Sequence, residues 1–192
     1  LNDLKLKVTS NTKAVMAVHI YGQIVNLTKL SLLCKELNLV LLEDAAQAMG
    51  VKYDGTHSGC VGDIGVISFF ADKTITTGEG AVVFTKNDEL YEKLKLLRNQ
   101  GRPNSGTFIH SSLGMNFRMT DLQAAVGVAQ LSKLKDIENQ RLATYHIYLE
   151  YLFNSENIGF MKRDENSTFI PFRFPITTNK KDLIMQKLTD AG

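Results

Sequence analysis

Lys73 stands in a loop rich in hydroxyl groups and glycines, five residues after Ser68 of an apolar run. The segment reads Ser68-Phe-Phe-Ala-Asp-Lys73-Thr-Ile-Thr-Thr-Gly78-Glu-Gly80. An amine at the carboxyl edge of an α/β sheet, if partly deprotonated, could act as a nucleophile toward a carbonyl group. A solvated surface lysine is the alternative interpretation, and the motif alone favours it because most lysines are exposed.

Two acids, Glu43 and Asp44, follow the apolar run 39–42 directly, in the segment Leu41-Leu-Glu43-Asp44-Ala-Ala-Gln47. A carboxylate at the end of a buried parallel strand lies at the sheet edge where ligands bind in open α/β folds. There Asp44 could pair with the protonated nitrogen of a pyridinium ring. The alternative is that Asp44 caps a helix running to Met49, and the motif alone does not decide between the two.

A third polar motif, Gly114-Met-Asn116-Phe-Arg118-Met119, precedes a predicted helix. Asparagine and arginine beside a helix N-terminus are well suited to hold an anion such as phosphate. Ordinary loop polarity is the alternative, and for this motif alone it is favoured.

Histidines and cysteines show no metal-binding pattern in this sequence. His19 ends a strand-like run, where a lone histidine is more often structural than catalytic. No H-x-H or H-E-x-x-H spacing occurs, and Cys34 and Cys60 are not paired as zinc ligands are. We therefore predict no metal site.

The elements that must position these motifs alternate between strand and helix. Strands are predicted over 14–20, 39–42, 64–70 and 81–84, and helices over 26–37, with Asn26 as N-cap, and 87–99. This alternation predicts an α/β unit with a mostly parallel sheet. Right-handed crossovers bring the carboxyl ends of such strands, and the loops after them, to one edge.

The pattern changes near residue 120. Thr120 and Gln123 form a capping-box signature, and an apolar stripe then continues at helical spacing for about thirty residues, which predicts one long, bridging helix. A strand is predicted over 168–177 and a short amphipathic helix over 181–191. We divide the chain into a large domain over 1–130 and the beginning of a second domain over 131–192.

Composition narrows the class of protein. The chain has 192 residues, 44% of them hydrophobic, with a net charge of +2 and two cysteines. These values are typical of a folded protein and give no electrostatic argument for nucleic acid or a membrane surface. No apolar run approaches the length of a membrane span, and two cysteines fit a reducing compartment, so we expect a cytoplasmic protein.

Taken together and in order, the motifs resemble those of DegT/DnrJ/StrS-type sugar aminotransferases, which are pyridoxal-phosphate enzymes of fold type I. The resemblance implies the large-domain sheet of that α/β fold, mostly parallel, followed by the start of an α+β small domain. The motifs that carry it are Val18-His-Ile-Tyr-Gly22, Glu43-Asp-Ala-Ala-Gln-Ala48, Gly62-Asp-Ile-Gly65, Ser68-Phe-Phe-Ala-Asp-Lys73, Thr76-Thr-Gly-Glu-Gly80 and Gly114-Met-Asn-Phe-Arg-Met-Thr-Asp-Leu-Gln-Ala-Ala125.

The resemblance implies a role for each candidate residue. Lys73 forms the internal aldimine with pyridoxal 5′-phosphate, and Asp44 pairs with the pyridine nitrogen. Three further contacts are implied: Gln47 lies against the ring, Ser68 binds the phosphate, and Asn116, with Arg118 nearby, reaches the phosphate of a neighbouring subunit in a homodimer.

The implied reaction moves an amino group from glutamate to a keto group of a nucleotide-linked sugar. An upstream phosphate-binding loop of the family is not found before residue 14, so we expect an incomplete cofactor pocket and a chain cut through both domains. Two alternatives stay open: a truncated, inactive homologue that serves as a binding or regulatory partner, and a pyridoxal-phosphate enzyme with a different amine acceptor.

Overall fold

The computed structural model describes residues 1–104, 106 and 108–192. Its strands are β1 (Ala14–Val18), β2 (Val40–Asp44), β3 (Lys52–Tyr53), β4 (Thr56–His57), β5 (Ile64–Ser68), β6 (Ala81–Phe84), β7 (Gly159–Phe160) and β8 (Ile176–Thr177). Its helices are α1 (Asn2–Lys7), α2 (Leu27–Glu36), α3 (Asp88–Arg98), α4 (Asp121–Leu131), α5 (Leu134–Leu152) and α6 (Lys181–Ala191). None of the helices in this part of the chain combines the length and apolarity needed to cross a membrane.

The main sheet has four strands in the order β1-β2-β5-β6. β1, β2 and β5 pair in parallel, and β6 pairs antiparallel with β5. The prediction of a mostly parallel α/β sheet is thus confirmed. In register, Asp44 lies beside Val18 of β1 and Val66 of β5, so the carboxyl ends of the three parallel strands share one edge.

Two predicted strands are too long, and one is too short. β1 ends at Val18 because the chain then enters a single 3-10 turn, Ile20–Gly22, in which Tyr21 has φ 59°. β5 ends at Ser68 rather than residue 70. β2 extends to Asp44, and turns rather than a helix follow it, so the alternative of an Asp44 helix cap is wrong.

Apolar side chains cover the face of the sheet that carries Ala17, Leu41 and Ile67, whereas the opposite face, with Met16 and Val18, is substantially exposed. One cluster packs α2 against β1 and β2 through Ala17, Leu30, Cys34 and Leu41. The larger cluster lies under the loops at the carboxyl edge and reaches a residue of the C-terminal third. Its buried members are Ile24, Leu27, Ala45, Ala48, Val51, Tyr53, Ile67 and Ile170.

The long helix predicted from residue 120 is two helices, α4 and α5, separated by Ser132 and Lys133. The capping box of Thr120 and Gln123 at the start of α4 is present as predicted. At the break, Ser132 Oγ donates to the Ala129 carbonyl, and Lys133 N donates to the Gln130 carbonyl in a tighter turn. A serine that bonds to the preceding turn competes with the regular helical ladder, which accounts for the interruption.

The strand predicted over 168–177 is mostly absent, and only Ile176–Thr177 pair, with β7. Backbone donors in this segment bond to loops elsewhere: Thr168 N donates to the Lys52 carbonyl, and Phe172 N donates to the Tyr21 carbonyl. Pro171 lacks a donor and cannot extend a ladder. The segment 164–173, here called the crossing segment, therefore runs across the loops of the main sheet. The helix at 181–191 is confirmed.

Candidate active site

Lys73 lies in the loop that follows β5, and its side chain is only 16% exposed. Its Nζ lies 3.5 Å from Asp72 Oδ1 and 4.9 Å from the ring centroid of Phe172. The loop is held by Lys73 N, which donates to the Phe70 carbonyl, and by Thr77 N, which donates to the Phe69 carbonyl. An amine enclosed by an aromatic ring and one carboxylate differs from the solvated lysine of the alternative interpretation.

Asp44 is half-buried at the carboxyl end of β2. Its Oδ1 accepts a hydrogen bond from Ala46 N at 3.1 Å. Among the described residues, its Oδ2 has no hydrogen-bond donor. One carboxylate oxygen of Asp44 is thus available to a cationic or N–H ligand at the edge where the parallel strands end.

Gln47 ties the loop after β2 to the loop after β1. Its Oε1 accepts a hydrogen bond from Tyr21 N at 2.9 Å. On the other side, the Tyr21 carbonyl accepts from Phe172 N at 3.2 Å, and the Phe172 ring faces Lys73. Backbone and side-chain contacts therefore run continuously from Gln47 to Lys73.

Ser68 is the last residue of β5 and lies two residues beyond Val66, the register partner of Asp44. Its Oγ accepts a hydrogen bond from Phe70 N at 3.2 Å. This orients the hydroxyl while leaving its proton available to donate to an anion.

Asn116 and Arg118 form a separate, exposed group before α4. Arg118 Nη1 donates to Asn99 Oδ1 at 2.9 Å, and Arg118 N donates to Asn116 Oδ1 at 3.4 Å. Their contacts in the described part of the chain are with each other and with the end of α3. The structure brings Asp44, Gln47, Ser68 and Lys73 to one edge of the sheet, and among the described residues this pair makes no hydrogen bond to any of the four.

His19 belongs to a buried structural pair, not to the ligand-facing edge. Its Nε2 lies 2.9 Å from Glu43 Oε2, and Glu43 also accepts hydrogen bonds from the backbone N–H groups of Gly59, Val61 and Gly62. Burial by itself would raise the pKa of Glu43, but His19 and these three donors outweigh it, so the pKa is lowered. A structural histidine is what the sequence favours.

The whole chain, residues 1–192, matches the family model described as the DegT/DnrJ/EryC1/StrS aminotransferase family. The chain belongs to this family. The enzymes of the DegT/DnrJ/EryC1/StrS family are pyridoxal-phosphate-dependent, and the α/β architecture is that of their solved structures.

Relatives in this family include nucleotide-sugar enzymes. The chain is 40% identical over 172 residues to a GDP-perosamine synthase of Vibrio cholerae, covering 88% of this chain and 46% of that protein. It is 38% identical over 149 residues to dTDP-3-amino-3,6-dideoxy-alpha-D-galactopyranose transaminase of Aneurinibacillus thermoaerophilus, covering 77% of this chain and 40% of that protein. This chain thus spans about half the length of the curated relatives it matches.

A solved relative has the same fold over nearly the whole chain. It is DesV of S. venezuelae in complex with a ketimine intermediate, with a TM-score of 0.91 and 30% sequence identity. The match covers 98% of this chain and 50% of that one.

The side chains at this edge fit the cofactor that the family uses. Pyridoxal phosphate presents an aldehyde, a pyridine nitrogen and a phosphate, which call for an amine, a carboxylate and hydrogen-bond donors. The enclosed amine of Lys73, the open carboxylate oxygen of Asp44 and the oriented hydroxyl of Ser68 are groups of these three kinds.

Sequence reasoning missed three residues near Lys73. Phe172 and Arg173 come from the crossing segment, and Asp72 belongs to the lysine motif but was given no role of its own. The aromatic residues and the arginine of 169–174 were a weak signal that this segment lines a site. They could not indicate which loop the segment would contact.

Proposed function

We propose that this protein transfers an amino group from glutamate to a keto group of a nucleotide-linked sugar, with pyridoxal phosphate as cofactor. The observation that carries the proposal is the enclosed amine of Lys73 at the same sheet edge as Asp44 and Ser68. Membership of the family and the activities for which its relatives are named support the type of substrate.

In this proposal four side chains bind and tune the cofactor. Asp44 holds a proton on the pyridine nitrogen, Gln47 lies against the ring, and Ser68 donates to the phosphate. Lys73 attaches the cofactor through Nζ. When bound, pyridoxal phosphate supplies an electron sink for the charge released as the substrate Cα–H bond breaks.

Lys73 would also move a proton when the cofactor and the amino donor are bound. Its free Nζ would take the proton from the donor carbon and return it to the cofactor. The Phe172 ring covers one side of this amine and keeps water away from it there. The donor would give up its amino group in a first half-reaction and the acceptor would take it in a second. Ping-pong kinetics are therefore expected.

We propose further that two copies of the chain share the site, with Asn116 and nearby Arg118 reaching the cofactor phosphate of the partner. Their exposure, and their lack of a hydrogen bond to Lys73 or Asp44 among the described residues, support this. So does α4, which is rich in apolar residues although none of them is buried. A surface of this kind is typical of a protein–protein interface. A cytoplasmic location completes the proposal, supported by the free thiols of Cys34 and Cys60.

Covalent trapping tests the assignment of Lys73. Pyridoxal phosphate is added to the protein, the absorbance band of the bound cofactor is recorded, and borohydride reduction is followed by peptide mapping. The label is expected on Lys73 and is expected to vanish in Lys73→Ala, whereas Lys95→Ala, an exposed lysine paired with Glu92, should keep it. Label on another lysine would overturn the assignment.

A screen of keto-sugar nucleotides with isotopically labelled glutamate tests the reaction. Transfer of label to at least one sugar supports the proposal. Cofactor bound at Lys73 with no transfer to any keto sugar would favour a different amine acceptor. Absence of both binding and transfer would favour the binding or regulatory homologue.

A further inference from the structure

The amine of Lys73 lies beside one carboxylate and one aromatic ring, and an arginine contacts both of these groups. Asp72 Oδ1 lies 3.5 Å from Lys73 Nζ, and Asp72 Oδ2 accepts a hydrogen bond from Arg173 Nη2 at 3.1 Å. Arg173 also lies over the Phe172 ring, with its guanidinium carbon 4.6 Å from the centroid. The Asp72 carboxylate is thus shared between Lys73 in the loop after β5 and Arg173, which lies 101 residues after Asp72 in the sequence.

The Phe172 ring is held from several sides. Phe172 N donates to the Tyr21 carbonyl, and Arg141 of α5 donates through Nη1 to the carbonyls of Pro171 and Phe172 at 3.3 Å each. Burial, together with the positive charge of Arg173, lowers the pKa of Arg141. The crossing segment therefore presents Phe172 and Arg173 to Lys73 in a fixed arrangement.

The ion pair of Arg173 and Asp72 contributes little to stability. Both side chains are about half exposed, and pairs of this kind are typically worth about 0–1 kcal/mol. The pair matters more for the position of the Lys73 amine, because Asp72 is the direct neighbour of that amine, which has little access to water. Arg173 draws the Asp72 charge away from Lys73 and adds a positive charge of its own nearby.

We propose that Arg173 is a positioning residue for Lys73, which it acts on through Asp72 by sharing the carboxylate and by seating Phe172 against the amine. This inference rests on the proposed function, in which Lys73 attaches the cofactor. Without Arg173, the Asp72 carboxylate would be paired with Lys73 alone, and the Phe172 ring would lose the guanidinium that lies over it, so the amine would be less well placed to attack the cofactor aldehyde.

Few other groups can influence the charge of Lys73 in the described part of the chain. Arg141 lies 6.0 Å from the Phe172 ring centroid on the cluster side. α4 contributes the neutral amide of Gln130, which accepts from Thr76 N. Asp72, Arg173 and Arg141 are thus the charged groups that the inference involves.

Competitive labelling of Lys73 tests the inference without cofactor. The protein is treated with a neutral acylating reagent at one fixed pH, and the rate of Lys73 modification is measured by peptide mass spectrometry. Asp72→Asn should raise this rate about threefold, and Arg173→Gln should lower it about threefold, because a lysine held in an ion pair attacks the reagent more slowly and Arg173 competes for the carboxylate that forms the pair. Arg173→Lys should restore most of the Arg173 effect.

Arg163→Gln is the matched control, because Arg163 also lies over an aromatic ring, that of Phe169 at 4.7 Å, without contacting Asp72. Its Lys73 labelling rate should equal that of the unaltered protein. In Asp72→Asn/Arg173→Gln, the change in labelling rate caused by Arg173→Gln should be smaller than in the unaltered background, since Arg173 acts through the carboxylate.

Unchanged labelling rates, or rates that move in the same direction in both single variants, would overturn the inference. Borohydride trapping of pyridoxal phosphate on the unaltered protein separates this result from a failure of the proposed function. Trapping at Lys73 with unchanged labelling rates overturns the inference alone. Trapping at another lysine overturns the proposed function and, with it, the inference.

Discussion

Glu43 and Asp44 are neighbours in the chain, yet their carboxylates have different surroundings. Successive side chains of a strand point to opposite faces, so one acid of the pair must face inward. Glu43 is the buried one, and it accepts hydrogen bonds from His19 and three backbone N–H groups. Asp44 stays half-buried with one oxygen available. The same residue class thus serves structure at one position and, we propose, cofactor binding at the next.

Glu43→Gln should destabilise the protein by about 3 kcal/mol, because a buried carboxylate with several donors is replaced by an amide whose NH₂ group faces those donors. Urea unfolding followed by circular dichroism measures the loss. Glu92→Gln is the control, since Glu92 is exposed and paired only with Lys95, and it should change stability by about 0.5 kcal/mol or less. Equal effects of the two substitutions would contradict the buried-pair interpretation.

The pH dependence of stability should also report Glu43. Its pKa is lower in the folded protein than the usual value of 4.5. The stabilisation is therefore fully present above about pH 4.5 and is lost as the pH falls through the lowered, folded-state pKa. Unfolding measured between pH 6 and the acid limit should show a steeper decline in the unaltered protein than in Glu43→Gln. Parallel curves would contradict the prediction.

At the scale of elements, the loops at the sheet edge contact each other and are also held together by the crossing segment. The 3-10 turn after β1 makes the closest approach, because Gly22 lies against the Ile170 carbonyl. Asn26, the N-cap of α2, donates through Nδ2 to Asp164 of the same segment. The geometry around Lys73 therefore depends on contacts between distant parts of the chain.

Gly22→Ala should cost about 3 kcal/mol or more of folding stability and loosen the crossing segment. Gly22 has φ +82°, and an added Cβ would lie 2.0 Å from the Ile170 carbonyl oxygen, so strain and a backbone clash combine. Gly55→Ala is the matched control, with φ +77° and no atom within 4 Å of the added Cβ, and should cost only about 1 kcal/mol. Thermal unfolding separates the two, and equal losses would show that the close approach is unimportant.

Removing the two asparagine helix caps should have unequal effects. Asn26 and Asn87 each accept from the backbone N–H three residues on, which is worth about 1 kcal/mol. Asn26→Ala should cost about 1 kcal/mol more than Asn87→Ala, because it also loses the hydrogen bond to Asp164. A double-mutant cycle with Asp164→Ala measures this coupling, and additive effects would contradict it.

At the scale of the whole molecule, exposed apolar side chains recur from the loop before α4 along the helix itself. Leu113 is 91% exposed and Leu122 is 83% exposed. Surfaces of this kind are rare in isolated proteins and mark association sites. They are the physical support for the proposed homodimer.

Leu122→Glu should shift the protein toward monomer in light scattering, because a charge would be placed inside an apolar interface. Leu183→Glu, on exposed α6 outside the proposed interface, should leave the molecular mass unchanged. A monomeric unaltered protein would contradict the dimer directly.

Mixing Lys73→Ala with Asn116→Ala subunits tests the shared site. If Asn116 acts on the cofactor of the partner, random reassembly should restore tight trapping of pyridoxal phosphate in about a quarter of the sites. Lys73→Ala mixed with Lys73→Ala/Asn116→Ala is the control and should restore none. No recovery in the first mixture, despite subunit exchange, would place Asn116 outside the shared site.

The sequence by itself determined the local features of this protein. The Asn26 cap, the Thr120 capping box, the parallel strand runs and α6 all depend on neighbouring residues, and they are confirmed. The order of motifs also indicated the family. The division near residue 130 and the roles of the site residues stay predictions.

Tertiary structure decided which residues meet at Lys73. The irregular course of the crossing segment arises because its backbone donors bond to residues far away in the chain and Pro171 cannot extend a ladder, whereas the break at Ser132 depends on local bonds. Sequence periodicity describes an element's own faces but not the loop on which that element packs. Arg173 and Asp72 are 101 residues apart, so their contact follows only from the folded arrangement of the whole chain.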